Sequence, residues 1–275
     1  MPPLAFTLNG RPTEVEYDEG MRLLGVLREI CGLTSPKDGC SPQGVCGCCT
    51  ILLDGKPSLS CQLGPQQVSG REVVTLEGLP DRQRQLLADA FVHEGAVQCG
   101  FCTPGIAVRA AHLLDKDLTR DRKRVERGLA GHLCRCTGYH RIVDAIQTAG
   151  EAWNGDGRLP SGEPRRPHYF GEDHGMQRSG EPSEIDGVGA SSERYRGRDQ
   201  AVGKKDFVAD MKVAGMLHAA PVLARHPRAR VLAIDTSQAL SMPGVERIIT
   251  AADIPGICNH GLIVRDWPLL VAEGQ

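Results

Sequence analysis

The sequence predicts an α+β protein in which two cysteine-rich units come first, a polar linker follows, and strands return towards the C-terminus. A chain of 275 residues has room for about two or three domains. The hydrophobic period changes from about two to about 3.6 residues near residue 80. Ten of the eleven cysteines lie between Cys31 and Cys136. The expected domain boundaries are 1–78, 79–153, 154–206 and 207–275.

The first unit is predicted to be a small mixed α+β domain. Apolar and polar residues alternate near its start, and Asn9-Gly10 is a strong hairpin signal. A stretch with apolar residues at helical spacing follows. The predicted elements are strands at 4–8, 15–17, 51–53 and 73–76 and a helix at 23–30.

The second unit is predicted to be a compact bundle of four short helices. The apolar faces that predict these helices are Leu86–Phe91, Ile106–Leu114, Val125–Leu129 and Ile142–Ala149.

Residues 154–206 hold ten glycines, four prolines and 19 charged residues. Such a composition buries too little apolar surface to offset the chain entropy that is lost on folding. It predicts a linker, or a tail that lies on another domain. Apolar segments then return, and they predict strands at 216–220, 231–234 and 245–250 with a short helix at 237–240. We expect this last region to be an incomplete domain.

Composition excludes several classes of function. The chain has 32 basic and 34 acidic residues, and this balance argues against nucleic acid or an anionic membrane as the main partner. No apolar run approaches the roughly 18 residues of a membrane span. The N-terminus has no secretory signal pattern, so a cytoplasmic location is expected. In a reducing compartment the cysteines are ligands or catalytic thiols rather than disulfides.

The first cysteine quartet has the spacing C-x5-C-x2-C-x11-C. The plant-type 2Fe–2S ferredoxin pattern, C-x4-C-x2-C with a distant fourth cysteine, differs by one residue in the first gap. Three thiolates must converge from one loop, and the glycines at 39, 44 and 47 are expected to supply its tight turns. The members of the first quartet are Cys40, Cys46, Cys49 and Cys61.

The second cysteine quartet combines a C-x2-C pair with a C-x-C pair after 31 intervening residues. The first pair should lie at a helix start, because Thr103-Pro104 suits early helix positions. Four thiolates can also bind zinc, although C-x-C is an awkward half-site for it. A thioredoxin-like role is weaker, since no βαβ context surrounds the pair. The members of the second quartet are Cys99, Cys102, Cys134 and Cys136.

The other cysteines and the histidines favour structural roles. Cys31 lies on the predicted apolar helix, Cys48 lies between two candidate ligands, and Cys258 is isolated. Each is expected to be a packing residue. His132 and His140 flank the second quartet and are expected to pack or to form hydrogen bonds rather than to bind metal.

The two quartets together resemble one family. DGCSPQGVCGCCT (Asp38 to Thr50), GAVQCGFCTPG (Gly95 to Gly105) and GHLCRCTGY (Gly131 to Tyr139) are similar to the iron–sulfur signatures of the molybdenum hydroxylases, the xanthine dehydrogenase and aldehyde oxidoreductase family. The resemblance runs from residue 4 to about residue 153. It implies a ferredoxin-like β-grasp domain and then a four-helix domain, each with one 2Fe–2S cluster.

The resemblance also implies an order for the cofactors. The first quartet would hold the outer cluster, nearer the FAD, and the second quartet would hold the inner cluster, nearer the molybdopterin cofactor. Gln98 matches the position that touches the pterin, although it could equally be a polar residue at a helix start. Residues 213–220, 229–236, 240–246 and 250–256 resemble the opening of the family's α/β molybdenum-binding subunit.

The implied function is electron transfer through two 2Fe–2S clusters within an oxidoreductase that hydroxylates purines such as xanthine, other N-heterocycles or aldehydes. The implied partners are a molybdenum-binding domain or subunit and a separate FAD-binding subunit, in an enzyme that is a homodimer. This sequence is expected to lack the molybdenum active site, so no residue is named catalytic. The alternatives are a stand-alone iron–sulfur small subunit of the carbon monoxide or nicotinate dehydrogenase type, and a zinc-stabilised interaction protein.

Overall fold

The computed structural model of the protein describes residues 2–161 and 194–275. Contacts divide the chain into a first unit that ends at Lys212 and a second unit that begins at Val213. The part of the predicted linker that spans 162–193 lies outside the described residues. No helix in the described ranges is both long enough and apolar enough to cross a membrane.

A five-stranded mixed sheet forms the N-terminal domain, in the order β2-β1-β5-β3-β4. β1 and β5 run parallel, and the other neighbours are antiparallel. Both edge strands contain a proline, Pro12 in β2 and Pro57 in β4. Proline has no backbone N–H to donate, and an edge strand does not need a donor at every position because it pairs on one side only. The strands are β1 (Pro3–Leu8), β2 (Arg11–Glu16), β3 (Thr50–Leu53), β4 (Lys56–Leu59) and β5 (Glu72–Val74).

The sheet packs around the predicted helix. That helix comprises α1 (Leu23–Gly25) and one π-helical turn (Val26–Ile30). Its residues Leu23, Val26 and Leu27 are buried with Leu4, Phe6 and Ile51, whereas Ile30 is exposed. The β-grasp arrangement predicted for this domain is therefore confirmed. Sequence reasoning missed β4, because residues 56–59 carry no alternating pattern.

Four helices form the second domain, as predicted. They are α2 (Asp81–His93), α3 (Thr103–Asp115), α4 (Arg122–Gly128) and α5 (His140–Asn154). Their apolar faces share one core, which continues into the N-terminal domain through Cys46, Cys48 and Leu52. The two domains are therefore packed into one body, and the cysteine-rich loop lies at their junction.

Residues 197–212 return to this body. The short helix α6 (Gly197–Ala201) packs against α2 and α3, and Ala201 and Val202 are buried in the helical core. We refer to these residues as the 197–212 segment.

The second unit contains little regular structure. It has α7 (Ser237–Leu240), as predicted, and a two-residue strand pair of β6 (Asn259–His260) and β7 (Trp267–Pro268). The strands predicted at 216–220, 231–234 and 245–250 are not formed. Apolar residues such as Val222 and Leu232 stay largely exposed, because these segments have no partner strand within 213–275.

Candidate metal centres

The first quartet lies in the loop before β3 and in the turn after β4. Cys46, Cys49 and Cys61 are buried, and Cys40 is half-buried. Among these four thiols, Cys40 is hydrogen-bonded to Cys46 and Cys49 to Cys61, and the Cys46 thiol is also hydrogen-bonded to the neighbouring Cys48. A loop and a turn thus bring all four predicted residues together as two sulfur pairs.

Glycines make room for this arrangement in two ways. Gly44 and Gly47 have φ of +72° and +70°, as their predicted turn role requires. Gly39 lies at a bend of the same loop but does not have a positive φ. A Cβ at Gly39 would lie 3.0 Å from Cys46 Sγ and 3.3 Å from Cys48 Sγ. Gly39 is therefore required by the close approach of sulfur and not by its backbone conformation.

The second quartet joins two loops of the helical domain. Cys102 is the residue just before α3, and Pro104 lies in the first turn of that helix, as predicted. Cys134 and Cys136 lie in the loop between α4 and α5. The thiol pairs here are Cys102 with Cys134 and Cys99 with Cys136. Cys102 is buried, whereas Cys99 and Cys136 are exposed.

Hydroxyl groups hold the second loop in place. The Tyr139 hydroxyl accepts a hydrogen bond from the Cys134 N–H at 2.9 Å and donates one to the His132 carbonyl at 3.1 Å. The Thr137 hydroxyl lies 3.1 Å from Cys134 Sγ and accepts a hydrogen bond from the Tyr139 N–H. Sequence reasoning did not single out these two residues, although both belong to the GHLCRCTGY motif.

In each quartet, hydrogen bonds lower the pKa of one thiol. Backbone hydrogen bonds from Val45, Cys46 and Gly44 outweigh burial and lower the pKa of Cys40 to about 7. A hydrogen bond from the Cys102 thiol lowers the pKa of Cys134 to about 5. Metal binding requires thiolates, so these positions favour it.

Each quartet supplies the four thiolates that a 2Fe–2S cluster requires. Among the described residues, no three Cys, His, Asp or Glu side chains are grouped so that they could hold one metal ion. A 2Fe–2S cluster instead needs four thiolates, and two sulfur pairs can supply two to each iron. The residues present therefore fit two such clusters.

Cys48 and His132 lie between the two quartets. Cys48 is buried, and its charge would interact with both Cys46 and Cys102. Burial raises its pKa, which keeps it a neutral packing thiol. His132 is also buried, its Nε2 lies 3.1 Å from the Thr50 hydroxyl, and burial lowers its pKa to about 4. The packing role predicted for each residue agrees with these positions.

A direct contact joins the loops of the two quartets. The Leu133 N–H donates a 2.9 Å hydrogen bond to the Cys46 carbonyl, and Leu133 immediately precedes Cys134. A Cβ at Gly47 would lie 2.5 Å from the Gly131 carbonyl oxygen. The backbones of the two loops therefore touch beside the His132 ring.

The remaining predicted residues are more peripheral. Gln98 is exposed beside Cys99, and its predicted contact with a pterin stays a prediction. Cys31 is half-buried and packs on the core of the N-terminal domain, as predicted, whereas Cys258 is exposed, so the packing role expected for it was wrong. His140 begins α5.

Comparisons with known families match three parts of the chain. Residues 6–75 match the 2Fe-2S iron-sulfur cluster binding domain, and residues 75–147 match the 2Fe-2S binding domain. Residues 202–274 match the a/b hammerhead domain of aldehyde oxidase and xanthine dehydrogenase.

Two curated relatives cover the chain differently. The aldehyde oxidoreductase of Megalodesulfovibrio gigas is 36% identical over 259 residues, which are 91% of this chain and 27% of that protein. The nicotinate dehydrogenase small FeS subunit of Eubacterium barkeri is 42% identical over 145 residues, which are 52% of this chain and 92% of that subunit. The chain thus spans about a quarter of the first relative and nearly all of the second.

A solved structure resembles nearly the whole chain. The aldehyde oxidoreductase of Desulfovibrio gigas is 33% identical, with a TM-score of 0.76. The match covers 99% of this chain and 30% of that protein.

Proposed function

Because the chain belongs to the molybdenum hydroxylase family, we propose that it transfers electrons through two 2Fe–2S clusters within a larger oxidoreductase. The observation that supports this most directly is the pairing of sulfurs in two quartets whose loops share the hydrogen bond between Leu133 N–H and the Cys46 carbonyl. Bound clusters of this type accept and release one electron at a time. The chain positions them and tunes their potentials.

The ligands that we propose are the eight cysteines of the two quartets. Gly39 leaves space for sulfur in the first quartet, and backbone N–H groups donate to Cys40. In the second quartet, the Thr137 hydroxyl lies beside Cys134 Sγ. Hydrogen bonds to ligand sulfurs raise cluster potentials, so both sites have a means of tuning.

The exposure of the two quartets supports the order that the resemblance implies. Cys99 and Cys136 are exposed beside the exposed Gln98, whereas three members of the first quartet are buried. We propose that this open edge of the second quartet faces the molybdopterin cofactor, with Gln98 as a contact. The first quartet then lies on the side of the FAD, on a separate subunit.

The relatives support the proposal that the chain is part of a larger enzyme. Residues 202–274 match a domain of aldehyde oxidase and xanthine dehydrogenase. We propose a molybdenum-binding domain or subunit as the immediate partner, a homodimeric enzyme in the cytoplasm, and substrates among purines such as xanthine, other N-heterocycles and aldehydes.

The alternative is a stand-alone small subunit, which the coverage of the E. barkeri subunit favours. The match over 202–274 argues against it.

Metal analysis of the full chain tests the proposal. After anaerobic purification we expect about four irons and about four acid-labile sulfides per chain, because each quartet holds one 2Fe–2S cluster. Reduction with dithionite should produce two distinct electron paramagnetic resonance signals. A colourless protein that retains zinc instead of iron would contradict the proposal.

A further inference from the structure

The 197–212 segment contacts the helical domain beside the second quartet. Gln200 is buried, and its side-chain amide donates a 2.9 Å hydrogen bond to the Cys99 carbonyl. The same side chain covers Gly100, where an added Cβ would lie 2.8 Å from Gln200 Cβ. Arg198 donates to Asp89 and Gln85 on α2. The segment is therefore anchored on the loop that carries Cys99 and on the neighbouring helix.

The same segment also contacts the N-terminal domain. A Cβ at Gly203 would lie 3.1 Å from Ser35 Cβ and 3.6 Å from Pro104 Cγ, so this glycine lies against both domains. The Phe207 ring packs edge-on against Phe101, with 5.2 Å between the ring centroids. Residues 203–207 thus follow the junction between the two domains.

A buried carboxylate completes the contact. Asp210 pairs with Arg28 at 2.8 Å and with Lys37, and all three side chains are at most 9% exposed. An unpaired buried charge is costly, so the Lys37 ammonium can remain buried only with a counter-charge. Among the described residues, Lys37 forms an ion pair with Asp210 alone.

Lys37 connects this ion pair to the first quartet. Its N–H donates a 3.0 Å hydrogen bond to the Cys48 carbonyl, and Cys40 follows three residues later. The Lys37 ammonium also lies 5.1 Å from the centroid of the Phe207 ring. The position of Asp210 is therefore coupled to the backbone of the loop that carries the predicted ligands.

We propose that the 197–212 segment is an intramolecular clamp across the two cluster domains and that Asp210 is the positioning residue that locks it. The clamp holds the Cys99 loop through Gln200 and the Cys40 loop through Lys37. Its carboxylate also neutralises positive charge beside the first quartet. The effect of this charge on a bound cluster rests on the proposed function. The clamp itself depends only on the protein contacts.

Hydrogen–deuterium exchange of the full chain tests the clamp without reference to bound metal. In Asp210→Asn, the amides of residues 207–212 and of residues 35–38 should exchange about tenfold faster or more, because the lost ion pair lets both regions open locally. Asp206→Asn is the matched control, since Asp206 is exposed four residues away. Equal exchange in the two variants would overturn the proposal.

Two further variants keep the test decisive if Asp210→Asn does not fold. Phe207→Ala retains every charge but removes the contact with Phe101, and it should accelerate exchange in the same two regions. Lys37→Met combined with Asp210→Asn removes the unpaired ammonium, while Arg28 keeps its 2.9 Å hydrogen bond to the Pro36 carbonyl. Because the double variant still lacks the lock, residues 207–212 should keep exchanging fast in it, and slow exchange there would refute the role of Asp210.

Potentiometric titration separates positioning from simple stabilisation. The uncompensated Lys37 charge in Asp210→Asn should shift the potential of the first cluster upwards, since positive charge favours the reduced form. The double variant should return that potential towards the wild-type value. An unchanged potential with accelerated exchange would refute the electrostatic role and leave the clamp. A chain without clusters would refute the proposed function, and the exchange comparison would still decide on the clamp.

Discussion

The first quartet is largely buried, whereas the second quartet has an exposed edge. The first is built from one loop and one nearby turn, with three buried sulfurs and backbone donors to Cys40. The second joins a helix start to a loop that the Tyr139 and Thr137 hydroxyls hold in place, and two of its sulfurs are exposed. Burial and glycine geometry therefore shape one site, and a small hydrogen-bonded network shapes the other.

The largest expected effect comes from removing one ligand from each site. Cys49→Ser and Cys136→Ser should each abolish one electron paramagnetic resonance signal and leave the other, with loss of about two of about four irons. Cys258→Ser is the control, since Cys258 is exposed and lies in the second unit. Loss of both signals from either variant would show that the two sites fold as one, and the comparison between them would fail.

The next effect tests the contact between the two loops. Gly47→Ala should destabilise the protein by about 3 kcal/mol, because the new Cβ meets the Gly131 carbonyl and the residue must hold a positive φ. Gly10→Ala is the matched control, with φ of +77° and nothing within 4 Å of the added Cβ, and it should cost about 1 kcal/mol. Urea unfolding of both variants measures the difference. Equal urea midpoints for the two variants would show that the contact between residue 47 and the Gly131 carbonyl can relax.

The smallest effect concerns the hydroxyl network. Tyr139→Phe should cost about 1 to 2 kcal/mol, because the Cys134 N–H and the His132 carbonyl lose their shared partner. Tyr195→Phe is the control, since that side chain is 85% exposed. Thermal unfolding and the potential of the second cluster are the measurements. A change confined to the first cluster would contradict the assignment of this network to the second site.

Cysteine spacing and hydrophobic period predicted most of the fold and both quartets. Each quartet is a local pattern, and the helices follow long apolar faces. The role of Gly39 was not predictable, because the need for space beside Cys46 Sγ depends on where the sulfur points. The roles of Thr137 and Tyr139 arise in the same way, from hydroxyl directions that spacing does not specify.

In two regions, local sequence patterns were not enough to predict the structure. Residues 197–206 have the composition of a linker, yet their contacts come from single residues such as Gln200 rather than from a periodic face. The segments at 216–220 and 231–234 have the apolar pattern of strands, but a strand needs a partner along its length, and within 213–275 only Val231 exchanges long-range backbone hydrogen bonds, with residues 274 and 275.

The prolines at both edges of the N-terminal sheet have a consequence for self-association. An exposed edge is a template on which a second copy can add its own strand and begin to aggregate. Pro12 and Pro57 each remove one donor from that template, one at either end of the sheet. Each edge of the sheet is therefore a poorer template for growth into a larger polymer.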